Sequence, residues 1–220
     1  MTDHPQQLTL DIVEPLRPSF DNFVVGRNAE AVASLRAMAE GGGERIAYLW
    51  GADGSGRSHL LQAVAACAPS ARFGVESTAE PFDPTVRVHL VDDVDRLDAE
   101  AQRRLFVLLN EVRASRDAVL VAAGGAAPTQ LPLRDDVRTR LAWGLVYQLH
   151  ALSDDEKAAA LRTHAASRGI ELADDVLAWL LTHLPRDMRT QVAILEALDT
   201  YALAAKRSIT VPLIREWSRA

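Results

Sequence analysis

Cysteine, aromatic residues and an excess of positive charge are all scarce in this chain, and each shortage excludes something. The single cysteine, Cys67, rules out an internal disulfide and suits a reducing compartment. Flanked by Ala63, Val64 and Ala66, it reads as core filler. His59, His89, His164 and His183 share no ligand spacing with a cysteine pair, so a zinc site is not expected. Aromatics make up only 5% of the residues, and Trp50, Trp143, Trp179 and Trp217 fall singly at apolar positions, as core anchors rather than stacking platforms. Lys and Arg number 24 against 30 Asp and Glu, a net charge of −6 that does not suit a polyanion-binding protein as a whole. A DNA-contacting face would need a local arginine cluster, and Arg134, Arg138 and Arg140 form the dense one. No apolar run approaches the length of a membrane span, and the N-terminus lacks the basic-then-apolar layout of a secretory leader, so a cytoplasmic protein without membrane contact is expected. No Ser/His/Asp nucleophile set can be read from the spacing.

What is present is a chain of 220 residues, 48% hydrophobic, large enough for a substantial core. From Ile46 onward short apolar runs alternate with helical patterns, which predicts an α/β domain with a parallel sheet. The strands expected are 46–50, 72–75, 87–92, 118–123 and 145–149, with helices at 58–67, 99–115 and 136–141. Only residues 76–86, containing Pro81 and Pro84, separate the second and third strands, too few for the usual crossover helix. After Leu152 the pattern is helical throughout. Ser153-Asp154-Asp155-Glu156 is a capping box, and helices at 157–167, 173–183, 187–205 and 211–219 predict a four-helix domain. The division expected is a flexible tail over 1–18, an α/β domain over 19–152 and a helical domain over 153–220.

The chemistry concentrates at Gly51-Ala52-Asp53-Gly54-Ser55-Gly56-Arg57-Ser58, which follows the strand Ile46–Trp50 and opens a helix. Gly51, Gly54 and Gly56 permit a tight backbone whose N–H groups can face phosphates, and the helix N-terminus favours anions. Ser58 suits a Mg²⁺ ligand. Arginine stands at position 57, where a phosphate loop ordinarily carries lysine, and its planar fork needs more room and places its charge differently. Asp92 and Asp93 end a buried strand about 35 residues further on, where Asp92 would reach the metal's water shell and Asp93 would polarise a water. Gln7-Leu8-Thr9-Leu10-Asp11-Ile12 alternates apolar and polar residues, placing Leu8, Leu10 and Ile12 on one side of an extended segment. Such a segment packs either on a partner or on its own domain.

Phe20-Asp21-Asn22-Phe23-Val24-Val25-Gly26, the loop from Gly51 to Leu60, the Asp92-Asp93 pair, Arg140-Leu141-Ala142-Trp143-Gly144 and Asp187-Met188-Arg189 together resemble, in order, the AAA+ module of the DnaA-related family. The resemblance runs from about residue 19 to the C-terminus. Within that family the chain is most similar to the regulatory inactivators, in its phosphate-loop arginine, in its N-terminal phrase and in ending before a DNA-binding domain. The resemblance implies an AAA+ P-loop domain with a helical lid, binding ADP or ATP with Mg²⁺ through Ser58 and Asp92. It implies that Val24 and Val25 lie against the adenine, that residues of the loop including His59 line the phosphates, and that Arg189 reaches from the lid as a sensor. It implies that Arg140 is an arginine finger acting in trans, where the residues alone suggest a surface arginine or a salt bridge with Asp135 or Asp136. Gln7, Leu8, Leu10 and Ile12 match the sliding-clamp-binding pattern, with Asp11-Ile12 a less usual ending.

The partners implied are DnaA and the sliding clamp, the β subunit of DNA polymerase III, with a homo-oligomer possible. The chain also departs from an active ATPase, because residues 118–125 offer no polar side chain where AAA+ proteins place a sensor at the end of the fourth strand. The missing segment after the second strand is where DnaA-like initiators carry a single-stranded-DNA-contacting element, so direct DNA binding is not expected. The expected function is negative regulation of replication initiation by stimulating hydrolysis of DnaA-bound ATP. The alternatives are a self-sufficient ATPase of helicase-loader type and a non-catalytic adaptor between clamp and DnaA.

Overall fold

A computed structural model of the chain describes residues 17–74, 82–185 and 187–218. The Gln7–Ile12 phrase, with Leu8 and Leu10, lies outside the described residues. Residues 18–151 form one compact unit, and the described residues from Leu152 onward form another.

The first unit is built on a parallel sheet of five strands, β1 (Ile46–Trp50), β2 (Ala71–Phe73), β3 (Val88–Val91), β4 (Val119–Gly124) and β5 (Leu145–Gln148), in the order β2-β3-β4-β1-β5. The central strands are apolar on both faces because both are covered, as parallel sheets require. Along β1 the side chains alternate: Ala47 and Leu49 join α1 (Ala29–Glu40) and α2 (Arg57–Cys67) in one core, while Ile46 and Tyr48 join α3 (Ala99–Ala114) and α4 (Asp135–Leu141) in the other. The register Ile46↔Leu120 through Trp50↔Gly124 brings the C-terminal ends of β1 and β4 side by side, so whatever follows these strands meets at one edge.

Helix α1 was not anticipated from the pattern. It buries Val32, Leu35, Met38 and Ala39, and Gly41 closes it in the left-handed region at φ 97°. Cys67 corrects another expectation. It is exposed at the last residue of α2 rather than buried: it continues the stripe of Leu60, Ala63 and Val64, but the buried part of the helix ends at Val64 and Ala66 beside it is exposed as well.

The second unit packs α5 (Asp154–Ser167), α6 (Asp174–His183), α7 (Met188–Ala205) and α8 (Val211–Trp217) around Leu161, Leu177, Leu180, Ile194, Leu198 and Leu213. Ser153 and Glu156 cap each other's backbone N–H at the start of α5, and Trp179 and Trp217 pack against the core. Among the described residues no helix is long and apolar enough to cross a membrane.

Candidate functional site

The loop between β1 and α2 is forced into shape by its glycines. Gly54 and Gly56 adopt φ 77° and 95°, values that cost a residue with a Cβ. At Gly51 a Cβ would fall 2.4 Å from the carbonyl oxygen of Leu149 and 2.8 Å from Ser55 Oγ. At Gly56 it would strike the ring of Phe23 at 2.6 Å, so the N-terminal segment carrying Val24 and Val25 is seated against the loop. His59 faces the same segment, with Nε2 2.9 Å from the Ser19 carbonyl and its ring 5.2 Å from that of Phe23. Asn28, which the sequence pattern did not single out, is buried and exchanges two hydrogen bonds with the backbone of His150, at 3.0 and 2.8 Å, tying this segment to the chain just past β5.

Arg57 is turned inward, its side chain only 11% exposed, and its Nη2 donates to Asp53 at 3.0 Å. Among the described residues its buried Nη1 has no hydrogen-bond partner, and neither has the buried Ser55 Oγ. Asp92 and Asp93 stand half-exposed at the end of β3, where Asp92 Oδ1 accepts from the Asp93 N–H at 2.9 Å. Asp93 takes a left-handed backbone, φ 46°, and its carboxylate lies 3.4 Å from Arg96. Ser58 is exposed on the first turn of α2.

The end of β4 is more polar than its sequence indicates. A Cβ at Gly124 would fall 2.5 Å from the Tyr48 hydroxyl and 3.1 Å from Asp95 Oδ1, so no sensor side chain fits there. The space is filled from elsewhere. Asp95, on the turn Val94–Arg96 after β3, accepts from the Gly125 N–H at 3.1 Å, and Tyr48 donates to the Ala126 carbonyl at 2.7 Å. Burial, reinforced by the Asp95 carboxylate and opposed by Arg57, pushes the Tyr48 hydroxyl well above its ordinary range, so it remains a neutral donor.

A second constellation lies on α3 and α4. Arg140 does not pair with the carboxylates of Asp135 or Asp136. Asp135 is taken by Arg138, and Asp136 pairs with Arg134 at 2.6 Å. Arg140 instead donates from Nε to Asn110 Oδ1 at 2.9 Å and from Nη1 to the Asp136 carbonyl at 3.1 Å. Its guanidinium carbon lies 3.9 Å from the centroid of Phe106 and 4.9 Å from that of Trp143. Trp143, read as a core anchor, is 37% exposed, and Arg113 covers it at 4.1 Å. Phe106 and Asn110 sit four apart on α3, a spacing visible in the sequence but without meaning until α4 is docked against it. Arg189 lies in the first turn of α7, in the second unit, where Asp187 accepts from the Thr190 N–H at 2.9 Å. Among the described residues no group of three His, Cys, Asp or Glu side chains forms a metal cluster.

Residues 154–217 match the family model of the Hda lid domain. The chain also superposes on domain III of the replication initiation protein DnaA from Thermotoga maritima, with a TM-score of 0.70 at 21% identity over 92% of this chain and 95% of that one. The helical unit is similar to the Hda lid domain, and the chain has the fold of DnaA domain III. AMPPCP-bound DnaA from Aquifex aeolicus shares the fold at a TM-score of 0.66 and 19% identity, covering 86% of this chain and 67% of that chain. Thermotoga maritima RuvB does so at 0.63 and 16%, covering 90% and 70%. The Gly51–Ser58 loop follows β1, Asp92-Asp93 follows β3 with β4 lying between the two strands, and Arg140 lies in the last turn of α4.

Proposed function

We propose that this AAA+ protein is a negative regulator of DNA replication initiation: nucleotide-bound, docked on the DNA-loaded sliding clamp, and stimulating hydrolysis of DnaA-bound ATP through Arg140 as an arginine finger in trans. The observation that supports this reading is the restraint on Arg140. Two hydrogen bonds and two aromatic faces hold a half-buried, permanently charged fork at the end of a helix. Among the described residues, those bonds occupy Nε and Nη1 and leave Nη2 for a phosphate oxygen. A donor fixed in advance stabilises transition-state charge without reorganising, and such fingers contribute roughly 10³ to 10⁵ in rate.

The chain's own loop suits a nucleotide. Ser55 Oγ and Arg57 Nη1 are buried polar atoms without partners among the described residues, and phosphate oxygens and their hydration would satisfy them. ADP or ATP would then sit on Gly51, Gly54, Gly56 and Arg57 beside Val24 and Val25, with Arg189 contributing from the lid. Ser58 and Asp92 would hold Mg²⁺, which neutralises phosphate charge when bound. Turnover in this site is expected to be feeble, since β4 carries no sensor side chain. The tail residues Gln7, Leu8, Leu10 and Ile12 supply the clamp contact, and Leu8→Ala with Leu10→Ala should abolish clamp pull-down while leaving ADP affinity intact.

The deciding experiment is single-turnover hydrolysis of labelled ATP on DnaA, with DNA-loaded clamp and saturating regulator. Arg140→Ala should lower the stimulated rate by about 10³ or more while clamp binding persists. Arg140→Lys should largely fail as well, because a point ammonium has neither the fork nor its stacking. A wild-type rate from Arg140→Ala would sink the finger and leave an adaptor.

A further inference from the structure

The positive charge that α3 and α4 leave uncompensated gathers around one exposed ring. Arg103 and Arg104 of α3 face Glu100, Arg134 at the head of α4 pairs with Asp136, and Arg138 pairs with Asp135. Arg113 and Arg140 are the arginines of these helices that meet no carboxylate among the described residues, and both lie on Trp143, their guanidinium carbons 4.1 and 4.9 Å from its centroid. The ring contact orders Arg113 but supplies no oxygen to its N–H donors. Beside the ring is a cavity of about 200 Å³, lined by Arg113, Trp143, Ile46, Glu44 and Arg45. Arg45, just before β1, is exposed and its side chain has no ion pair or hydrogen bond among the described residues. Its backbone is fixed, the carbonyl accepting from the Leu120 N–H at 2.7 Å. Two guanidinium groups from distant parts of the chain thus share one small cavity with an aromatic wall.

We propose that this cavity is a docking subsite for an acidic side chain, Asp or Glu, carried by the chain that receives Arg140. This rests on the reading of Arg140 as a finger and adds how its partner is held. Arg140 and Arg113 lie on the same ring, so a chain that accepts the finger passes beside the cavity. The space falls short of the roughly 300 Å³ at which small-molecule pockets begin, but a carboxylate on one or two methylenes needs far less. The arginine fork matches a carboxylate with two parallel hydrogen bonds, and Ile46 and Trp143 offer apolar contact to the methylenes. An extended phosphate chain suits the place less well. Glu44 lines the same cavity, and Glu100, Asp135 and Asp136 stand on the helices around it, so a polyanion leaving the cavity would meet like charge, whereas a single carboxylate would not.

The test is single-turnover hydrolysis of labelled ATP on DnaA with DNA-loaded clamp, followed over a range of regulator concentrations so that half-saturation and plateau rate separate. Thermal unfolding checks that each variant is folded. Arg45→Gln leaves both guanidinium contacts on Trp143 in place and should raise the half-saturating concentration about threefold, the scale of one exposed ion pair, with an unchanged plateau. Arg45→Gln combined with Arg113→Gln should raise it about tenfold, and the difference from wild type should shrink in high salt. An unchanged half-saturating concentration in the double variant overturns the proposal. A loss confined to the plateau does so too, because it would mean that these arginines act through Arg140 and not on the partner. Binding of a labelled single- or double-stranded oligonucleotide by wild type that the double variant loses would overturn it in favour of a phosphate site. The finger and the subsite fail separately: a wild-type plateau from Arg140→Ala removes the finger, while a shifted half-saturation in the double variant still supports the acidic contact. If wild type does not stimulate hydrolysis on DnaA at any concentration, the proposed partner falls and this inference falls with it.

Discussion

At the scale of single residues, Arg140 is an integrated side chain, and its removal affects more than catalysis. Two hydrogen bonds from a charged group and two cation–π contacts are lost together in Arg140→Ala, so a stability loss of about 2 kcal/mol is expected in chemical denaturation. That loss is small beside a 10³-fold change in rate, so the two effects can be separated. His89 is a different case. It is 2% exposed on β3, stacked 5.6 Å from Phe82, and burial first, then the Arg72 charge, hold its imidazole below the ordinary range. An unfolded chain therefore takes up a proton on His89 before the folded one does. The stability that follows from the neutral ring is fully present above about pH 6.5 and is lost as pH falls from there through the depressed folded value. Denaturant unfolding at pH 7.5 and 5.5 should show a drop for wild type that is smaller in His89→Phe. An equal drop in both proteins would assign the acid sensitivity to other groups.

Elements were more legible than the contacts between them. The strands could be read because a parallel sheet covered on both faces leaves apolar runs, and β1 coincides with its expected range from Ile46 to Trp50. The α5 cap was readable because Ser153 and Glu156 act within one turn. What depended on tertiary proximity was not readable. Asp95 reaches the end of β4 only because the turn after β3 folds across it, and Asn110 and Phe106 meet Arg140 only because α4 docks on α3. Trp143 was misread because two guanidinium groups, of Arg113 and Arg140, pack on its ring where a core was expected. Helix α1 was passed over because its buried face relies partly on alanine, which carries little hydrophobic contrast. At the entry to β5, a Cβ on Gly144 would fall 1.9 Å from the Ile46 carbonyl oxygen. Gly144→Ala should force β5 away from β1 and destabilise the sheet unit by about 3 kcal/mol or more, measured as a shift in denaturant midpoint. Ser153→Ala should cost only about 1 kcal/mol.

At the scale of the whole molecule, a ligand that binds the folded chain adds to its stability by mass action. ADP with Mg²⁺ at a hundredfold above its dissociation constant should contribute about 2.7 kcal/mol, visible as a raised melting temperature. Adenosine should give a smaller shift at the same concentration, since on the proposed reading the loop holds the phosphates. The chain's single thiol has a consequence for assembly. Cys67 has no partner cysteine in its own chain and is exposed at the end of α2, so any disulfide it forms must link two molecules or tether a small thiol. In a sample that has lost its reductant, covalent pairs would accumulate through the ends of two α2 helices and mimic a native dimer in sizing experiments. Cys67→Ser is therefore the proper background for judging whether this protein self-associates, and a dimer that survives that change is held by its surface rather than by oxidation.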